Sequence, residues 1–127
     1  MEQSLFDAVG GEEFFVKLVD GFYVGIETDE VLRPMYVDQD LTESRRHLTL
    51  FLQQYWGGPS IYQAERGHPR LRMRHMQWII DAKMRGHWMN AMLHALDKVS
   101  LDQEVREELL HYFTQVANAM INHDHVE

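Results

Sequence analysis

The sequence predicts an all-α protein, and three observations carry that prediction. Apolar residues recur at three- and four-residue spacing along almost the whole chain. No segment alternates apolar and polar residues with period two. The breaks in the helical pattern fall where glycine, proline or a capping residue would stop or start a helix. With 127 residues and no repeat, low-complexity tract or linker, the chain reads as one domain spanning 1–127.

The elements follow in order. Residues 1–11 are too short for a full first helix, and Gly10-Gly11 ends them. The first substantial helix starts near Glu12, with Phe14, Phe15, Leu18, Val19, Phe22, Tyr23 and Ile26 on one face and Glu12, Glu13, Lys17 and Asp20 opposite. Thr28-Asp29 offers a new N-cap for a short helix carrying Val31 and Leu32, which Pro34 cuts down. Thr42 caps the next helix, whose stripe is Ser44, Leu48, Phe51, Leu52 and Tyr55. Gly57-Gly58-Pro59 stops it, glycine closing the last turn and proline unable to continue. An ordered loop with little regular structure is expected over 59–71, long enough to suggest a function. A short helix over Leu71–Gln77 presents His75, Trp78–Met84 forms a connector, and Gly86 marks a break. Trp88, Ala91, Met92, Ala95 and Val99 make the next stripe. Ser100-Leu101-Asp102-Gln103 reads as a capping box opening a last helix with Val105, Leu109, Tyr112, Phe113, Val116, Ala117 and Met120 inward.

Composition removes several functions. There is no cysteine, so disulfides, thiolate metal sites and covalent C-x-x-C-H attachment of a haem are excluded. A net charge of −8 argues against nucleic-acid or anionic-membrane partners. No apolar run approaches the length of a membrane span, and the acidic, polar start Met1-Glu2-Gln3-Ser4 is unlike a secretory leader, so a cytoplasmic location is expected. H-E-x-x-H, P-loop and G-x-S-x-G motifs are absent.

The informative stretch is Tyr55–His75, YWGGPSIYQAERGHPRLRMRH. A histidine behind closely spaced arginines, with aromatic residues on either side, suits haem: the iron takes a neutral imidazole nitrogen and the propionates want cationic partners. A basic surface loop is the plainer reading of the same residues, and the rest of the chain decides between the two. F-D-A-V-G-G (6–11), F-Y (22–23), M-Y (35–36), Y-W-G-G-P (55–59), R-G-H-P-R-L-R-M-R-H (66–75) and Trp88 together resemble the truncated haemoglobins of group II, short globins with a two-over-two helical sandwich. The resemblance covers nearly the whole chain.

It implies non-covalent haem b with His75 as the proximal iron ligand. It implies that Tyr23, Tyr36 and Trp88 line the distal side, with Ser44 where full-length globins carry a distal histidine and Leu48 one turn on. Phe51 belongs to the same helical face, Tyr62 and Arg66 resemble the family's propionate-side contacts, and Met73 is placed against the haem face. The remaining histidines, His47, His87, His94 and His111, read as surface or partly buried residues, and His123 and His125 as a weak tail motif.

The implied partners are O2, NO, CO or other diatomic ligands, together with an electron donor that the sequence does not encode. Phenolic and indole donors around bound O2 slow its release, which favours chemistry or sensing over delivery. NO dioxygenation, weak peroxidase-like oxidation, and a gas sensor or O2 store remain open, as does a monomer against a homo-oligomer. A haem-less helical interaction module is the reading from a different class, and a Soret band separates it from the others.

Overall fold

The computed structural model describes residues 4–36, 41–67 and 80–121. Among these every regular element is helical: α1 (Leu5–Ala8), α2 (Glu12–Thr28), a 3-10 turn (Arg33–Met35), α3 (Thr42–Tyr55), α4 (Ile61–Arg66), α5 (Ala82–Asp97) and α6 (Gln103–Met120). None of these helices is long and apolar enough to cross a membrane. The architecture is the two-over-two helical sandwich: α2 packs on α3 and α5, and α6 packs on α5.

The core follows the stripes. Phe15, Leu18, Val19 and Ile26 of α2, Leu52 of α3, Met92, Ala95 and Leu96 of α5 and Leu109 and Phe113 of α6 are essentially inaccessible. Each buried aliphatic or aromatic side chain of this kind contributes about 1.5–3 kcal/mol relative to exposure. The crossing of α2 over α5 depends on small residues. A Cβ on Gly25 would lie 3.0 Å from Ala91 Cβ and 3.3 Å from its Cα, and one on Gly21 would lie 3.4 Å from Ala95. Four-residue spacing on both helices lets the two backbones meet. Gly25→Leu is therefore expected to cost about 1–3 kcal/mol by wedging the helices apart. A thermal denaturation midpoint equal to wild type would show that the crossing tolerates the extra side chain.

The paired glycines after α3 also serve a close approach. Gly57 has φ +101°, and a Cβ on Gly58 would come within 2.7 Å of the Phe6 ring. That space lets α1 dock, with Phe6 N–H donating to Trp56 O at 3.0 Å.

Several expectations need correction. Thr28 is the last residue of α2 and donates its hydroxyl to Val24 O; the cap that follows is Asp29, whose Oδ1 accepts from Val31 and Leu32 N–H at 2.8 and 2.9 Å. Val31 and Leu32 lie in a turn, and the short helix is the 3-10 element running through Pro34, near a helix start where a missing N–H costs nothing. Thr42 is the first helical residue of α3, with Leu41 at the cap position. The expected loop over 59–71 contains α4, because Tyr62 buries itself and Gln54 Oε1 accepts from Gln63 N–H at 2.9 Å. Gly86 does not break a helix: α5 runs through it from a cap in which Asp81 accepts from Met84 N–H. One glycine costs about 1 kcal/mol in a helix, less than the buried stripe Met89, Met92, Ala95 and Leu96 returns. The connector expected to reach Met84 is helical from Ala82, with Asp81 as the cap, and its first residues, 78–79, lie outside the described residues. Val99 lies beyond the end of α5. At the start of α6 the capping box is not made; Asp102 holds the cap position without a side-chain hydrogen bond.

Candidate haem site

Four elements bring the expected distal residues together. Tyr23 sits on the buried face of α2, and its ring centroid is 5.9 Å from that of Tyr36, just past the 3-10 turn. Its hydroxyl is hydrogen-bonded to Ser44 of α3 and to Tyr36. Phe22 stands edge-on to both Tyr23 and Trp88 of α5, at 5.3 Å each, and so joins Trp88 to the tyrosine pair. Burial raises the Tyr23 pKa, and the hydrogen bond to Ser44, the charge of Arg45 and the bond to Tyr36 only partly offset it. Tyr36 is pushed up too, by burial and then by Tyr23. Both phenols therefore stay protonated at neutral pH and keep O–H groups to donate.

Ser44, Leu48 and Phe51 follow one another along α3 at four- and three-residue spacing, all half-buried. Tyr55 continues that face but does not wall the site: it is 53% exposed and its ring lies against Tyr112. Arg45 closes the outer edge, its guanidinium 5.5 Å from the Tyr23 ring centroid and paired with Asp20 at 3.3 Å and Glu27 at 2.8 Å.

A basic corner lies between α3 and α4. Tyr62 is buried against Phe51, with ring centroids 5.5 Å apart, and the Arg66 guanidinium is 5.9 Å from the Tyr62 ring centroid. Arg66 Nη1 is 2.9 Å from Nδ1 and 3.0 Å from Nε2 of His47. Desolvation, then the Arg66 charge, pulls the His47 pKa down, with Glu43 opposing. Two basic groups this close gain from an anion placed between them. His47 was read only as a surface or partly buried histidine; its place one residue before Leu48 on α3 was the available signal. Arg46 pairs with Glu65 at 2.7 Å and spans the same two helices.

His75 and Met73 lie outside the described residues, as do His68, Arg70, Arg72 and Arg74. The segment that holds them joins α4 to α5. What is described fits haem. The described residues supply half-buried apolar side chains on α3 and α5, a cluster of neutral hydroxyls shared by Tyr23, Ser44 and Tyr36, and a basic corner between α3 and α4. Haem is likewise an apolar ring with an anionic edge.

His87, next to Trp88, meets the other end of the distal wall. Its Nδ1 is 2.9 Å from Asp29 Oδ2 and ties α5 to the turn that carries Tyr36. Burial acts to raise the Asp29 pKa, but the His87 bond and the two backbone N–H donors outweigh it and hold the carboxyl below its usual value. A depressed carboxyl adds stability above its unfolded-state pKa, about 3.9, and that stability is lost as pH falls through the lower folded value. Asp29→Asn keeps an oxygen for Val31 and Leu32 but loses the charge. It is expected to cost about 0.5–1 kcal/mol at pH 6, a gap that closes below about pH 3.9. Parallel denaturation midpoints across that range would show the charge to be idle.

Comparison with known proteins agrees with this geometry. Residues 4–122 match the family model of bacterial-like globins. The group 2 truncated hemoglobin YjbI of Bacillus subtilis is 39% identical over 117 residues, covering 92% of this chain and 88% of the relative. The crystal structure of the group II truncated hemoglobin from Bacillus anthracis superposes with a TM-score of 0.94 at 35% identity, covering 99% of this chain and 96% of that one. A thermostable hemoglobin from the actinobacterium Thermobifida fusca gives 0.93 at 46% identity, over 94% and 98%. With the family model spanning nearly the whole sequence and the hydroxyl cluster set in an apolar wall, the chain belongs to the bacterial-like globins as a group II truncated haemoglobin, a haem b protein that binds small diatomic ligands such as O2.

Proposed function

We propose that this protein holds O2 under hydrogen bonds from Tyr23, Tyr36 and Trp88 and uses it to oxidise nitric oxide to nitrate. The observation that supports the reading is the Tyr23–Ser44–Tyr36 hydroxyl cluster, kept neutral by burial beside Trp88. Haem supplies the iron at which a diatomic gas is held, with His75 as its protein ligand. Tyr62, Arg66 and His47 take the propionate edge, while Leu48, Phe51, Met73 and Trp88 pack the ring.

The chain's own residues do the rest. O2 carries partial negative charge when polarised, and a phenolic or indole donor compensates it by about 1 kcal/mol for a neutral acceptor and 1.5–3 kcal/mol for a charged one. Donors already fixed by their neighbours reorganise little when the ligand arrives. Ser44 is too short to block the pocket, but it orients Tyr23. The reaction balances as NO and O2 plus one electron giving nitrate, so each cycle draws one electron from an external reductase. The reading places the protein in the cytoplasm beside such a donor.

The test is stopped-flow mixing of the reduced, oxygenated protein with NO, followed by cycling with a flavin reductase. Fast oxidation with stoichiometric nitrate, sustained on re-reduction, is the expected result. Slow reaction with O2 still tightly held would replace this role with sensing or storage.

A further inference from the structure

Tyr36 is the distal donor with no helix of its own. Tyr23, Ser44 and Trp88 stand on α2, α3 and α5, whereas Tyr36 follows the 3-10 turn in extended backbone. Its N–H donates to Arg33 O at 3.1 Å, and its own carbonyl accepts from Arg33 Nη1 at 3.0 Å. Tyr36 therefore goes where the turn goes. The start of the turn is held by Asp29, whose carbonyl and both carboxylate oxygens are engaged. The carbonyl accepts from Arg33 N–H at 2.9 Å, Oδ1 accepts from Val31 and Leu32 N–H, and Oδ2 accepts from His87 Nδ1 at 2.9 Å. The carboxyl, held below its usual pKa, is ionised at neutral pH and only accepts, which assigns the proton to Nδ1.

The plain account of the His87–Asp29 bond is an ion pair at the rim. The two side chains are 33% and 19% exposed, and pairs of that kind add little to stability. The fold is secured without it, because Leu32 is buried in the core and the turn packs on α2. What the bond adds is a fixed distance between the turn and α5. His87 directly precedes Trp88, so the bond ties the segment carrying one distal donor to the helix carrying another. The same donors are joined inside the core, where Phe22 stands edge-on to Trp88 and to Tyr23, and Tyr23 meets Tyr36. The rim bond closes this ring of contacts from outside.

We propose that His87 and Asp29 are positioning residues for the bound gas, their bond holding the turn so that the Tyr36 hydroxyl reaches the ligand at the iron. The inference rests on the haem reading above. A phenol has one proton to give, and Tyr36 has two candidate acceptors, the Tyr23 oxygen and the ligand. Hydrogen bonds weaken steeply with misalignment, so a small displacement of the turn decides between them. With the clamp closed, the ligand has Tyr36 as well as Tyr23 and Trp88. With it open, Tyr36 falls back on Tyr23, and the ligand leaves sooner.

The test compares the haem-loaded wild type with His87→Ala, His87→Asn, Tyr36→Phe and the double variant of His87→Ala with Tyr36→Phe. The visible spectrum is recorded first. A protein without a Soret band ends the haem reading, and the clamp's role with it. Given the band, O2 release is timed by displacement with CO, and the C–O stretch of the CO complex is recorded, because it shifts with donors at the bound gas. His87→Ala is expected to release O2 about two- to tenfold faster, the range that one neutral hydrogen bond spans. Its C–O stretch should move toward that of Tyr36→Phe. His87→Asn sets an amide N–H where Nδ1 stood and should restore both readings. In the Tyr36→Phe background, His87→Ala should change neither, a pattern that general loosening of the fold would not give. Equal acceleration with and without the Tyr36 hydroxyl, or wild-type release in His87→Ala, would overturn the proposal.

Discussion

Tyr23→Phe is expected to speed O2 release by about tenfold or more, because a donor to a charged acceptor contributes about 1.5–3 kcal/mol and 1.4 kcal/mol is one decade. The substitution keeps the ring and with it the edge contacts to Phe22 and Tyr36 and the Arg45 guanidinium above it. It removes the one hydroxyl that both Ser44 and Tyr36 engage. Trp88→Phe tests the other donor and leaves an aromatic ring between Phe22 and Phe113. The two effects should not add. Tyr36 loses a partner when Tyr23 does and can turn its own O–H toward the ligand, so the double variant should fall short of the product of the singles. Off-rates unchanged in all three variants, measured by displacement of O2 with CO, would mean that these donors bond only within the protein.

Tyr23, Ser44 and Trp88 were legible as amphipathic or small residues on stripes otherwise made of Phe, Leu, Met and Ala, whereas Tyr36, just past the 3-10 turn, was named only through the family resemblance. Periodicity fixed which way each stripe faces, and α2, α3, α5 and α6 formed accordingly. The misread elements were those decided by single local interactions. Glycine has a poor helix propensity, yet Gly86 sits inside α5 because burial further along the helix outweighs it. The segment after Gly57-Gly58-Pro59 looked irregular, yet the burial of Tyr62 and the Gln54–Gln63 bond make it α4. His47 carried only its place one residue before Leu48, and His87 no signal of its own. Their roles arise from Arg66 and Asp29, residues 19 and 58 positions away in the chain, and a pairing at such separation is set by helix packing that periodicity does not encode.

His75→Gly is expected to have the largest effect on the cofactor. Haem held without a covalent link depends on its apolar burial, its propionate contacts and its axial bond. On the proposed site the apolar share would come from side chains half-buried in the protein itself, Leu48, Phe51 and Trp88, and the propionate share from the corner where Arg66 is hydrogen-bonded to His47. Both survive the substitution, so haem should still enter, but with a displaced Soret band and faster loss to an apoglobin acceptor. Added imidazole should then restore the band, since it supplies the same nitrogen without the chain. That rescue separates loss of the ligand from loss of the fold. Arg66→Ala should behave oppositely, leaving the band where it is while hastening haem loss, and imidazole should not correct it. A wild-type spectrum in His75→Gly would remove His75 from the iron and require another of the chain's histidines in its place.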